Sequence, residues 1–98
     1  MGAGTFFVYM MANKPRGTIY IGVTSNLMGR SWQHRSGAVD GFTARYGLHR
    51  LVWFEAHTSI EAAIRREKRL KRYERRWKVD LIEAENPDWI DLFPNLSP

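Results

Sequence analysis

The sequence predicts a small α/β (α+β) domain: a three-stranded antiparallel sheet flanked by helices, in the order β-β-α-β-α-α. Three observations predict it. Two aromatic and β-branched runs, Phe6–Tyr9 and Thr18–Thr24, are separated by a short cluster of turn formers. A third run of that kind, Arg50–Ala56, stands between two stretches of helical periodicity. The chain has 98 residues, which fits one domain over residues 1–98 with only a modest core. Its 44% hydrophobic and 13% aromatic content supplies that core, with Trp32, Trp53, Trp77 and Trp89 as the largest pieces.

Taken in order, Thr5–Ala12 reads as the first strand and Thr18–Thr24 as the second, joined through Asn13-Lys14-Pro15-Arg16-Gly17 into an antiparallel hairpin. Ser25 or Asn26 is placed to cap a helix from Leu27 to about Arg35, with Ser36-Gly37 as its stop. Gly29 inside that helix costs up to about 1 kcal/mol relative to alanine, which suggests a close approach there. Asp40–Gly47 is a loop bracketed by glycines, and Arg50–Ala56 is the third strand. Thr58 or Ser59 caps a second helix that runs to about Tyr73, and a third helix spans Glu74–Glu85 before Asn86-Pro87 stops it. Asp88–Phe93 is expected to add a last turn that packs Trp89, Ile90 and Phe93.

The composition excludes several classes of protein. There is no cysteine, hence no disulfide framework and no thiolate metal site. No basic segment followed by an apolar run opens the chain, and no apolar run approaches the length of a membrane span. A cytoplasmic location without membrane association is therefore expected.

The net charge of +5 is concentrated. Arg65, Arg66, Lys68, Arg69, Lys71, Arg72, Arg75, Arg76 and Lys78 crowd one stretch, where only Glu67 and Glu74 oppose them. Charge runs usually mark a solvated helix face. With so few acidic partners, this density instead suits a polyphosphate backbone, whose neutralisation releases counterions. Arg65, Arg66, Lys68, Arg69, Lys71 and Arg72 are the expected nucleic-acid contacts. Arg45 joins them from the loop, between the aromatic Phe42 and Tyr46, which suit either stacking or capping of the core.

Glu67 stands out on the second helix. Ile60, Ala63, Ile64 and Leu70 recur at helical spacing and define an apolar stripe, and Glu67 falls near its centre. A carboxylate facing a core requires an ion pair or a metal, and the periodicity does not choose between them. On the first helix, Arg30 and His34 are one turn apart and share a face. Such a pair suits phosphate binding and proton transfer. In the hairpin, Tyr9 and Tyr20 sit on adjacent strands, and Gly22 within a strand marks a close approach to bare backbone, read here as a place for nucleic acid.

Phe7-Val8-Tyr9 and Tyr20-Ile21-Gly22, followed by Val23-Thr24-Ser25-Asn26-Leu27, then Arg30-x-x-x-His34, Arg66-Glu67-Lys68 and Asn86-Pro87-Asp88-Trp89, resemble the GIY-YIG nucleases. The likeness is to the small stand-alone bacterial members and runs from Phe6 to about Leu92. Phe7 departs from the glycine of the family's first motif. The resemblance implies a metal-dependent endonuclease that hydrolyses DNA phosphodiester bonds with Mg²⁺ or Mn²⁺. It implies that Glu67 is the metal ligand and that Arg30 clamps the scissile phosphate. It further implies that Tyr20 or Tyr9 activates the attacking water, that His34 assists proton transfer, and that Asn86 closes the site. DNA is the expected partner, with RNA as the alternative, and a monomer or weak dimer the expected state. Two other readings are a non-catalytic nucleic-acid-binding module on the same scaffold and a protein-interaction domain built on Trp53, Tyr73 and Trp77. Tyr73 and Trp77 are expected to pack between helices.

Overall fold

A computed structural model describes residues 4–36 and 45–96. Strands β1 (Phe6–Ala12), β2 (Ile19–Thr24) and β3 (Arg50–His57) and helices α1 (Leu27–Ser36), α2 (Ile60–Arg72) and α3 (Arg75–Glu85) follow the expected β-β-α-β-α-α order. A short 3-10 turn, Phe93–Asn95, comes last. The caps are local chemistry. Asn26 Oδ1 accepts from Gly29 N–H at 3.0 Å, and Ser59 Oγ accepts from Ala62 N–H at 3.0 Å. The close approach at Gly29 is that of the cap itself, since a Cβ there would lie 2.4 Å from Asn26 Nδ2.

The sheet is antiparallel throughout, in the order β2-β1-β3, so the N-terminal strand is central. Strand alternation then sorts the side chains onto two faces. Val8, Met10, Ala12, Ile21, Val52 and Trp53 build one core with Ala63 and Leu70 of α2, Ile82 of α3, and Trp89. Tyr9, Met11 and Leu51 build the other with Leu27 of α1 and Leu48. A bulge pairs Met10 with Trp53 but Met11 with Leu51, which brings Val52 and Trp53 into the same core. α2 packs chiefly on β1 and β2.

Several expectations change. The stripe on α2 is narrower than its apolar residues suggested: Ala63 and Leu70 are buried, whereas Ile60 and Ile64 are 37% and 38% exposed. Helix periodicity finds an apolar arc but not which edge of it meets the sheet. After α3 the chain turns through Trp89, whose φ of 55° is left-handed, and this buries the indole while Ile90 stays 52% exposed. Trp89 Nε1 donates to Glu83 at 2.7 Å, and Arg16 of the hairpin turn forms a two-point ion pair with the same carboxylate. Arg35 pairs with Asp91 and lies over the Phe93 ring, tying α1 to the C-terminal segment. Gly37, Phe42 and most of the expected 40–47 loop lie outside the described residues. Among the described residues, no helix is long and apolar enough to cross a membrane.

Candidate active site

The hairpin register sets the first half of the site. Tyr9 lies opposite Gly22, and Met11 opposite Tyr20, so Tyr9 and Tyr20 are diagonal neighbours on one face. Their ring centroids are 6.2 Å apart. Gly22 is what lets Tyr9 lie flat across β2: a Cβ at Gly22 would sit 2.6 Å from Tyr9 Oη and 2.7 Å from Cζ. Sequence reading gave this bare backbone to nucleic acid. The Tyr9 ring covers it instead.

α1 packs over the same face and brings Arg30 and His34 to the phenols. The His34 ring lies 5.9 Å from that of Tyr9 and 5.6 Å from that of Tyr20. His34 Nε2 is 3.2 Å from Tyr9 Oη. Burial, aided by the positive charge of Arg30, lowers the His34 pKa to about 4, so the ring is neutral at pH 7. Burial also pushes the Tyr9 phenol up to about 12, against the opposing pull of Arg30. Arg30 is held firmly protonated, chiefly by its hydrogen bond with Tyr9. Tyr9 Oη and His34 Nε2 share one hydrogen bond whose donor follows from the imidazole tautomer, and His34 Nδ1, like the hydroxyl of Ser31 one turn earlier, is buried without a partner among the described residues. His49 Nδ1 meets the His34 carbonyl at 2.9 Å and anchors the end of α1.

Glu67 belongs to the opposite layer, on α2, and its side chain is 18% exposed. It is thus half-buried at the rim of the stripe rather than at its centre. Its carboxylate meets Lys71 Nζ at 2.9 Å. Lys71 also lines, with Ile19, Tyr20, Ile21 and Lys78, a concavity of about 280 Å³ beside the free edge of β2. The route from Glu67 to the tyrosines therefore passes around that edge. The donor set bears on a metal. Among the described residues, no group of three or more His, Asp or Glu side chains could hold one, so a closed protein cage does not fit. A single reachable carboxylate that already accepts a cation does fit an ion that keeps most of its waters, as Mg²⁺ commonly does.

The packing gives three of the residues assigned from sequence partners within the fold. Asn86 is buried, donates to the carbonyls of Val52 and Ile90, and accepts from Ile90 N–H. It is spent on the backbone at β3, the edge opposite Tyr20, beside an apolar concavity of about 290 Å³ that contains none of the clustered residues. Arg66 is bound at two points to Glu55 of β3, at 3.0 and 3.4 Å, and is therefore a neutralised strut. Gly22, as above, is occupied by Tyr9. Arg65, Lys68, Arg69 and Arg72 remain exposed, as does Arg45, which stands outside the cluster. Sequence reading missed His49, which no spacing linked to α1. It also gave no role to Lys78, although it sits within the basic run and only the fold shows its closeness to Tyr20.

Comparison with known proteins bears on the family and the fold. The family model described as the GIY-YIG catalytic domain matches residues 5–80. The solution NMR structure of the UPF0213 protein BH0048 from Bacillus halodurans is similar, with 32% sequence identity and a TM-score of 0.52. That similarity covers 84% of this chain and 86% of the other. No curated protein matches.

Proposed function

The chain belongs to the GIY-YIG family, and from that premise we propose that it is a metal-dependent endonuclease hydrolysing phosphodiester bonds of DNA. The observation that carries the reading is the convergence of Tyr9, Tyr20, Arg30 and His34 from three elements onto one face of the sheet. A pure binding module gains nothing from a neutral, buried histidine bonded to a buried phenol. Phosphodiester hydrolysis needs a cation at the non-bridging oxygens and an oriented water.

In this proposal Arg30 supplies the fixed positive charge that holds the scissile phosphate and offsets its developing charge. Tyr9 keeps its proton, because burial raises its pKa to about 12, so its role is to orient Arg30 and His34. Tyr20 is the less buried phenol, and it lines the concavity at the β2 edge with Lys71 and Lys78, so it is the group that meets the attacking water. His34, neutral at pH 7 and held against both phenols by its contact with the Tyr9 hydroxyl, is the residue that assists proton transfer at the site. Glu67 is the residue that would hold Mg²⁺ or Mn²⁺, whose chemistry when bound is to polarise the phosphate and acidify water. Selectivity for a DNA structure, a role in DNA repair or processing, a cytoplasmic location and a monomeric or weakly dimeric state belong to the same proposal.

The alternative, a non-catalytic binding module, draws on the ion pair that already engages Glu67. One experiment separates the two. The parent and Glu67→Gln proteins are incubated with single-stranded, duplex and branched DNA in Mg²⁺, Mn²⁺ or EDTA. The nuclease reading predicts metal-dependent cleavage that Glu67→Gln loses while it still binds DNA. Equal cutting by the variant removes Glu67 from the site. Tight, salt-sensitive binding without cleavage of any substrate establishes the module instead.

A further inference from the structure

The fold divides the cations of α2 into two sets. Two are paired: Arg66 with Glu55 of the sheet, and the exposed Lys71 with Glu67 one turn back on the same helix. The others, Arg65, Lys68, Arg69 and Arg72, are exposed, and none has a carboxylate within ion-pair distance among the described residues. They line one concavity of about 440 Å³ together with Tyr73 and Trp77. Trp77, on the first turn of α3, was expected to pack between helices, yet it is 52% exposed. It is nonetheless held in place, because Tyr73 meets it edge to face at 5.5 Å and 88°.

We propose that this groove is a stacking site for an unpaired stretch of nucleic acid, with a base on Trp77 and the flanking phosphates on Arg65, Lys68, Arg69 and Arg72. Two features together select this partner. Four uncompensated cations call for a polyanion. A fixed, half-exposed indole among them calls for a flat π-face, which an unpaired base presents and a base inside a duplex does not. The groove shares no residue with the concavity at Tyr20, and the α2–α3 junction separates the two. The inference deepens the nucleic-acid reading and rests on it: the substrate has a single-stranded segment that seats in this groove, apart from the concavity at Tyr20.

The test uses the full chain carrying Glu67→Gln, so that binding is read without cleavage. Fluorescein-labelled oligothymidine and a matching duplex are titrated by anisotropy against this protein and against the same protein with Trp77→Ala or Trp77→Phe. Trp77→Ala is expected to weaken oligothymidine binding roughly 5- to 150-fold, to change duplex binding less than about twofold, and to leave the circular dichroism spectrum unaltered. Trp77→Phe retains most of the affinity. In a Trp32→Phe background, where Trp77 is the one exposed indole among the described residues, oligothymidine quenches the fluorescence. Oligothymidine binding that ignores Trp77→Ala overturns the proposal. Poly-glutamate that binds as tightly, with the same dependence on Trp77, overturns it in favour of an acidic peptide. If cleavage persists in the otherwise native chain while Trp77 proves irrelevant, the stacking site falls and the nuclease reading stands. Trp77-dependent binding with no cleavage of any substrate does the reverse.

Discussion

Gly22→Ala adds one methyl group at the point where β2 passes under Tyr9. The new Cβ would meet Tyr9 Oη at 2.6 Å, Tyr9 Cζ at 2.7 Å and Tyr20 Cε2 at 3.0 Å, so the Tyr9 ring must move by about 0.7 Å or more to reach ordinary contact. Tyr9 is only 1% exposed, packed beside Met11 and Leu27, and has little room for that shift. Overpacking of this kind costs about 1–3 kcal/mol. Displacing the ring also loosens the 3.2 Å contact with His34, worth about 0.5–1.5 kcal/mol. The expected loss is about 2–4 kcal/mol, a drop in Tm of roughly 8–30 °C for a domain of this size. Urea and thermal unfolding measure it. DNA cleavage by the fraction still folded should fall as well, because both phenols are displaced. The origin of the cost is checked by repeating the change in a Tyr9→Leu background, where it should shrink by at least about 1 kcal/mol. If Gly22→Ala unfolds within about 0.5 kcal/mol of the parent and cuts normally, the Tyr9 ring does not depend on the missing side chain and the reasoning is wrong.

The remaining predictions concern protonation, capping and the core. Because burial lowers His34 from 6.5 to about 4, the unfolded chain takes up a proton between those values that the folded chain does not. Stability should therefore fall as pH drops through that window, by up to about 3 kcal/mol at its foot, and urea midpoints of His34→Gln should show a correspondingly shallower dependence. Asn86→Ala leaves the carbonyls of Val52 and Ile90 and the amide of Ile90 without this partner, and should cost about 2–4 kcal/mol in chemical denaturation while sparing cleavage by folded protein. Lost cleavage at unchanged stability would return Asn86 to the catalytic group. Leu70→Ala, at a fully buried position, should cost about 2–5 kcal/mol, whereas half-exposed Ile64→Ala should cost under about 1 kcal/mol; comparable losses in thermal melts would restore the wider stripe.

Much of the fold was legible because its signals are local. The aromatic and β-branched runs of Phe6–Ala12 and Thr18–Thr24, the turn formers between them, and the caps at Asn26 and Ser59 act over a few residues and are written where they act. The gathering of Arg30 and His34 on one helical face was legible for the same reason, since a one-turn spacing guarantees it. The roles of Gly22 and Asn86 were not. A bare glycine in a strand announces a close approach but not by what, and an asparagine before proline gives no sign that three backbone groups consume its amide. Arg66 and Arg65 are adjacent and chemically identical, yet one braces β3 through Glu55 and the other faces outward.

By itself, then, the sequence determined the order of the elements, the hairpin that sets Tyr9 beside Tyr20, and a helix dense in positive charge with Glu67 within it. Only the tertiary structure decided how those pieces meet. Placing β1 in the middle of the sheet sends α1 to one face and α2 to the other, so Arg30 and His34 reach the phenols directly while Glu67 lies toward the edge of β2. The same packing divides the basic run into cations paired with Glu55 or Glu67 and cations left beside Trp77. The physical reason is that charge and periodicity belong to a residue and its near neighbours, whereas burial and pairing belong to contacts between segments far apart in the chain.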